Sequence, residues 1–292
     1  VGYQTARHLI QDLGIVLVET GSGQAAFDVW CAGGLGREPQ AGFLLARAVA
    51  EEDLIPLTEA VVQVYRDHTP PPKRLKFLLA SIGEEQFRRL LEQQMASRPR
   101  VSYRDEEDIP LRVPTGTFVT VPVFAGELTA ETLQQLATMA EEQGCGYLAT
   151  TADQNLVLLA GSTAEETALQ AALEQAGLEV GCSGLTANFR VCPGNHECRM
   201  GLSATRDIAR DVIVLTGESA PGRSWAISGC QNACSQPQLA DYGIVTSKRI
   251  SDENGEKQPR FDLYLREEHG FGKCIAENLS RPGIYRIIAD LQ

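Results

Sequence analysis

Four cysteines in the last third of the chain are the residues best equipped for chemistry. They stand as Cys192-Pro-Gly-Asn-His-Glu-Cys198 and, after 31 intervening residues, as Cys230-Gln-Asn-Ala-Cys234. Thiolates are soft ligands that suit iron–sulfur clusters and zinc. Zinc fingers and ribbons usually space their pairs by about two to four residues, so the five-residue gap between Cys192 and Cys198 fits zinc poorly. The three-residue gap between Cys230 and Cys234, on a loop, lets both sulfurs point at one centre. Two disulfides are a third possibility, although eight cysteines in 292 residues fall well below the density of a secreted disulfide scaffold. The spacing favours a four-cysteine [4Fe–4S] cluster and leaves zinc and disulfides open. His196 is either an extra ligand or a solvent-facing loop residue. Cys31, Cys145, Cys182 and Cys274 are scattered and read as packing residues; the pattern suggests a reducing, cytoplasmic compartment.

Elements that could position such a site must come from an ordinary globular chain. Hydrophobic residues make up 43% and charged residues 22%, with no apolar run of membrane-spanning length. A formal charge of −12 argues against nucleic acid as the main partner. The first residue is Val1, so a targeting signal can be neither found nor excluded.

Residues 1–96 form a first unit. Strands are expected over 12–18 and 27–31, followed by a glycine turn at Gly33, Gly34 and Gly36. Helices are expected near 41–52, 56–67 and 84–96 from apolar residues at three- and four-residue spacing, with Pro70-Pro-Pro72 ending the second. Lys73-Arg74-Leu75-Lys76 is read as extended, so that Arg74 and Lys76 project to one face. Residues 97–108 are a charged linker. Residues 109–182 read as βαββα: strand 118–124, helix 128–143 entered at Thr129, strands within 147–159, and a helix from the Ser162/Glu165 capping box to about Ala176. Such an order gives a small α+β sheet with helices on one face.

Residues 183–292 repeat the first unit. Asp12-Leu-Gly-Ile-Val16 matches Asp241-Tyr-Gly-Ile-Val245, and Phe27-Asp-Val-Trp30 matches Phe261-Asp-Leu-Tyr264. Gly34-Leu-Gly-Arg37 matches Gly270-Phe-Gly-Lys273, and Pro56 with its helix matches Pro282. In this register Val1 falls at the counterpart of Cys230 and Gln292 near that of Arg66. The sequence is therefore expected to be a fragment, with a counterpart of residues 109–229, on the order of a hundred residues or more, preceding Val1.

Cys-x5-Cys followed by Gly-Cys-x-Asn-x-Cys resembles the sirohaem-containing nitrite and sulfite reductases. The likeness rests on Cys192, Cys198, Gly229, Cys230, Asn232 and Cys234. It extends to Leu185-Thr-Ala-Asn188, Gln154-Asn155, the Gly33–Gly36 turn and Arg74-Leu-Lys76. It implies a duplicated α+β sirohaem-reductase fold: two haem-binding α/β repeats with a ferredoxin-like half-domain between them. It also implies a [4Fe–4S] cluster on Cys192, Cys198, Cys230 and Cys234, the last bridging to sirohaem iron. The reaction implied is six-electron reduction of a small anion, sulfite to sulfide or nitrite to ammonia, fed by a ferredoxin or a flavoprotein. Sulfite is the slight favourite, from Lys76.

By the same resemblance Arg74 and Lys76 hold the anion, where local pattern alone allows a solvated basic turn. Gly33, Gly34 and Gly36 let backbone approach a ring or an anion closely, or form only a tight turn; Arg37 beside them binds a ring carboxylate or sits in solvent. Thr186, Asn188 and Arg190 resemble family positions that line the ring, with a turn cap as the other reading of Asn188. Asn232 donates hydrogen bonds near the cluster. Asp153 stands where relatives carry a basic or amide residue, which weakens a ring-carboxylate contact there. Rival readings are a cluster-only electron-transfer or structural module and a cluster enzyme of corrin biosynthesis.

Overall fold

The computed structural model describes residues 7–19, 25–69, 73–96, 98–99, 116–181, 188–217, 222–267 and 270–291. They fall into two units, residues 1–111 and 112–292. Most of the expected 97–108 linker, Thr186 and Cys182 lie outside the described residues.

In the first unit β1 (Leu13–Glu19), β2 (Ala25–Cys31) and β3 (Phe43–Val49) form an antiparallel sheet in that order. Alternation decides β1: Val16 is buried while Ile15 and Leu17 face outward. The helices α1 (Glu51–His68), α2 (Leu75–Ile82) and α3 (Glu84–Met95) complete the unit. They enclose a core of Val29, Leu45, Val61, Leu78 and Phe87.

Three expectations are corrected here. Residues 43–49 are a strand, not a helix, because Leu- and Ala-rich sequence is overridden by pairing with β2. Residues 74–76 are not one extended segment: Arg74 is extended as the N-terminal flank of α2, but Lys76 lies inside the helix. The helix expected at 56–67 starts earlier, at Glu51, with Pro56 inside α1.

The second unit begins with the expected βαββα. Its strands β4 (Thr117–Val121), β5 (Leu148–Thr150) and β6 (Leu156–Ala160) form a sheet in the order β4-β6-β5. The helices α4 (Ala130–Gln143) and α5 (Thr163–Gln175) start at Thr129 and Ser162, whose hydroxyls accept from the amides of Thr132 and Glu165. Val119, Leu136, Leu158, Leu169 and Leu173 fill this small core.

Next comes a five-stranded sheet in the order β11-β10-β9-β8-β7. Its members are β7 (Phe189–Val191), β8 (Trp225–Ser228), β9 (Tyr242–Ser251), β10 (Lys257–Leu265) and β11 (Lys273–Leu279). The helix α6 (Thr205–Thr216) joins β7 to β8, which run parallel, and α7 (Arg281–Asp290) closes the chain. β7 and β8 are buried at every position, as a parallel pair covered on both faces must be.

The duplication is visible in detail. The β9-β10-β11 ribbon and α7 repeat β1-β2-β3 and α1. In each copy an aspartate on the middle strand receives the amide of a positive-φ residue on the third: Asp28 from Ala48 at 3.0 Å, Asp262 from Asn278 at 2.9 Å. One pairing is corrected. Gly272 donates to the Gln238 carbonyl as Gly42 donates to that of Leu9, so Gly272 corresponds to Gly42, not Gly36. The first repeat spends residues 32–42 where the second spends only 266–272. The Gly33–Gly36 turn lies in that longer connection.

Candidate metal centre

Both cysteine loops leave the carboxyl ends of neighbouring parallel strands. Cys192 follows β7 directly, and Gly229-Cys230 follow β8, the position where open α/β sheets build their sites. The first loop turns sharply at Gly194, whose φ is +58°; a Cβ there would meet the Ser203 carbonyl and the Thr205 hydroxyl at 2.4 Å. Cys198 closes the turn by donating its amide to the Gly194 carbonyl at 3.0 Å. Thr205, the first residue of α6, donates its hydroxyl to the Cys192 carbonyl.

The two loops meet at Gly229. Its amide donates to Cys192 Sγ at 3.0 Å, and its carbonyl receives the amide of Leu202 at 2.7 Å. A Cβ on Gly229 would come within 2.9 Å of Gly194 Cα. The second loop is held from below by the Ser228–Ser235 hydroxyl pair at 2.7 Å and turns through Ala233 at φ +56°.

Cys192 and Cys230 are half-buried, Cys198 and Cys234 exposed, and all four are free thiols. Burial, then the neighbouring sulfurs of Cys192, Cys230 and Cys198, raises the pKa of Cys234, so those three thiols lie close enough to Cys234 to act on its charge. Among the described residues no three His, Cys, Asp or Glu side chains converge tightly enough to share one metal ion. Sharing one zinc, with Zn–S bonds of about 2.3 Å, would bring the sulfurs within about 4 Å of each other. Four thiols carried on two adjoining loops are the donor set of a multi-iron core.

A second cluster of functional side chains sits within the first unit, at the glycine turn. Arg74 forms a two-pronged pair with Asp12, the shorter contact 2.9 Å, and donates to the Gly33 carbonyl at 3.2 Å. Lys76 is buried, and its Nζ donates to the carbonyls of Leu35 and Glu38 at 2.8 and 2.6 Å. Burial, then the Arg74 charge, lowers its pKa. Gly34 packs between them: a Cβ would meet Arg74 Nη1 and Lys76 Cδ at 3.0 Å. At Gly36, φ is +107° and nothing lies within 4 Å of a Cβ, so the turn is closed at Gly34 and open at Gly36. Arg37 is exposed.

The other expected residues are dispersed. Asn188 leads into β7 half-buried, and Asn232 is exposed on the second cysteine turn. Arg190 is buried in β7; it pairs with Asp153 at 2.8 Å and donates to the carbonyls of Ser235 and Gln236. Cys31 is a packing residue, but Cys145 and Cys274 are exposed, because their strands and turns face outward at those positions. Sequence reading missed Asp12, Thr205 and Arg206; their only signal was distance in the fold.

The family model described as "Nitrite and sulphite reductase 4Fe-4S domain" matches residues 1–98. That for "Nitrite/Sulfite reductase ferredoxin-like half domain" matches residues 109–176. The chain belongs to the nitrite and sulfite reductase family. The 4Fe–4S match falls on the repeat whose one cysteine is Cys31, so the four clustered thiols lie beyond it, in the second copy.

Among the relatives of this family, "Sulfite reductase [ferredoxin] 2" of Mycolicibacterium paratuberculosis is 26% identical over 95% of this chain and 54% of its own length. "Ferredoxin--nitrite reductase" of Synechococcus elongatus is 27% identical over 87% of this chain and 53% of its own. The chain thus spans about half the length of the curated relatives it matches. The solved structure of Mycobacterium tuberculosis NirA protein covers 98% of this chain and 57% of its own, with a TM-score of 0.76 and 24% identity; it shares the fold. The family's cofactors are a [4Fe–4S] cluster and sirohaem. The four thiols on two adjoining loops and the Gly229 amide aimed at Cys192 fit the cluster. Among the described residues no helix is long and apolar enough to cross a membrane.

Proposed function

We propose that the whole protein reduces sulfite to sulfide, or nitrite to ammonia, in a six-electron reaction, drawing electrons from a ferredoxin in the cytoplasm. The observation that carries this reading is the gathering of four thiols at the ends of β7 and β8 in a chain of this family. A cluster held by Cys192, Cys198, Cys230 and Cys234, coupled to sirohaem, would supply stepwise electron delivery to an anion.

The chain's own residues do the rest. The Gly229 N–H, 3.0 Å from Cys192 Sγ, steadies negative charge on that sulfur. Lys76 and Arg74 bring two positive charges to one glycine turn, suited to an anion whose oxygens leave as water. Lys76 spends two of its three donors on carbonyls, which fixes the ammonium while leaving donor capacity for a ligand. Gly33, Gly34, Gly36 and Arg37 lie on that turn, and Thr186, Asn188 and Asn232 lie in sequence beside the cysteine loops; these are the proposed ring contacts. Arg190 is directed inward, to Asp153.

Relatives named for sulfite and for nitrite match at nearly equal identity. The test is the absorption spectrum of full-length protein after anaerobic reconstitution, with turnover measured on both anions. Sirohaem bands and turnover support the reading; iron without a tetrapyrrole overturns the reductase and leaves a cluster-only module.

A further inference from the structure

Each cysteine loop is joined to the ferredoxin-like half-domain by one arginine. Arg206, in the first turn of α6, grips Glu197, the residue before Cys198, with two bonds of 2.9 and 3.2 Å. Its Nε lies 3.2 Å from the Glu127 carboxylate, at the entrance to α4, as a charge pair without hydrogen-bond geometry; the fork itself is spent on Glu197. Arg190 does the same for the other loop. It donates to the carbonyls of Ser235 and Gln236, just after Cys234, and pairs with Asp153 in the β5–β6 turn. Both arginine side chains are largely buried, 12% and 6% exposed, whereas those of Glu127 and Asp153 are about half exposed. Gln154, next to Asp153, adds paired bonds with the backbone of Val191, the residue before Cys192, at 2.7 and 3.2 Å.

We propose that Arg190 and Arg206 are positioning residues for the four-thiol centre: each braces one cysteine loop against one half-domain carboxylate, so that the half-domain pre-forms the site. Arginine suits this role because its planar fork fixes direction as well as charge. The loops otherwise rely on glycine turns, on hydroxyl bonds within the sheet and on the Gly229 contacts with Cys192 and Leu202. Four ligands on two loops hold a cluster only if the loops keep their spacing. The part of this inference that concerns the cluster rests on the reading above.

Glu127→Ala and Asp153→Ala, made in the 292-residue chain, test it without touching a cysteine. Amide hydrogen exchange of the metal-free protein is the first readout. Glu127→Ala is expected to speed exchange in residues 192–204 on the order of tenfold, with 229–236 unchanged. Asp153→Ala is expected to do the reverse. Unchanged exchange in both variants, or equal acceleration across the whole second unit, overturns the proposal. Arg206→Lys, which keeps charge but loses the fork, should reproduce the Glu127→Ala pattern; wild-type exchange there would count against bracing. Iron loss to a chelator from the reconstituted chain is the second readout, expected to quicken several-fold in each variant. If the wild-type chain takes up no iron, the cluster reading fails while the exchange pattern still decides the bracing.

Discussion

Gly229 and Cys192 stand 37 residues apart in sequence, yet the amide of one donates to the sulfur of the other at 3.0 Å. That contact joins the ends of two parallel strands and brings both halves of the cysteine motif to one place. It works only with glycine, since the α-carbon of Gly194 lies 2.9 Å from where a Cβ would sit. Gly229→Ala is expected to cost about 1–3 kcal/mol by overpacking. Iron content after reconstitution should fall with the melting temperature, read by calorimetry and iron assay.

Removing any one of Cys192, Cys198, Cys230 or Cys234 as serine should abolish the four-iron signal in electron paramagnetic resonance after reduction. Cys274→Ser should leave it intact, because that exposed thiol sits beside Asp262 and Glu277, away from either cysteine loop. A normal cluster in Cys198→Ser would remove Cys198 from the ligand set.

Lys76→Met is expected to lower turnover at least tenfold while leaving cofactor content near wild type. A smaller loss of stability should accompany it, about 1–3 kcal/mol, from the carbonyls of Leu35 and Glu38 losing a charged donor. Burial and Arg74 lower the Lys76 pKa. Its charge therefore begins to disappear below the usual lysine range, and anion affinity should weaken there as pH rises. A Kd for sulfite independent of pH between neutral and strongly alkaline solution would argue against its role.

Cys31 gives a pH signature of stability. Burial pushes its pKa from 9.0 up to about 12, so the folded chain keeps the proton when the unfolded chain has lost it. The unfolded state then binds fewer protons, and stability falls with rising pH between about 9 and 12, by up to about 1.4 kcal/mol per unit. Below 9 the effect is absent. Urea unfolding of wild type and Cys31→Ala should converge as pH rises through this window; parallel curves would show that Cys31 does not carry the effect.

Much of the fold lies in local signals. Thr129 and Ser162 mark helix starts because their hydroxyls serve the next exposed amides. The duplicated aspartates, Asp28 and Asp262, keep the same bond to the third strand. Residues 43–49 were opaque because their composition suits a helix, whereas pairing to β2 and the positive φ of Ala48 depend on the sheet. Residues 74–76 were opaque for a related reason: a proline run and two charges hide a helix that begins at Leu75.

The sequence by itself determined which atoms could act: four thiols in two loops, two basic residues after a proline run, and a repeated frame to carry them. Spacing within a loop is covalent, so it is legible in one dimension. Only the tertiary structure decided what holds those atoms in place. Arg206 reaches Glu127, Arg190 reaches Asp153, and Arg74 reaches Asp12. Such pairs form when strands and helices pack, and the chain between the partners carries no trace of them.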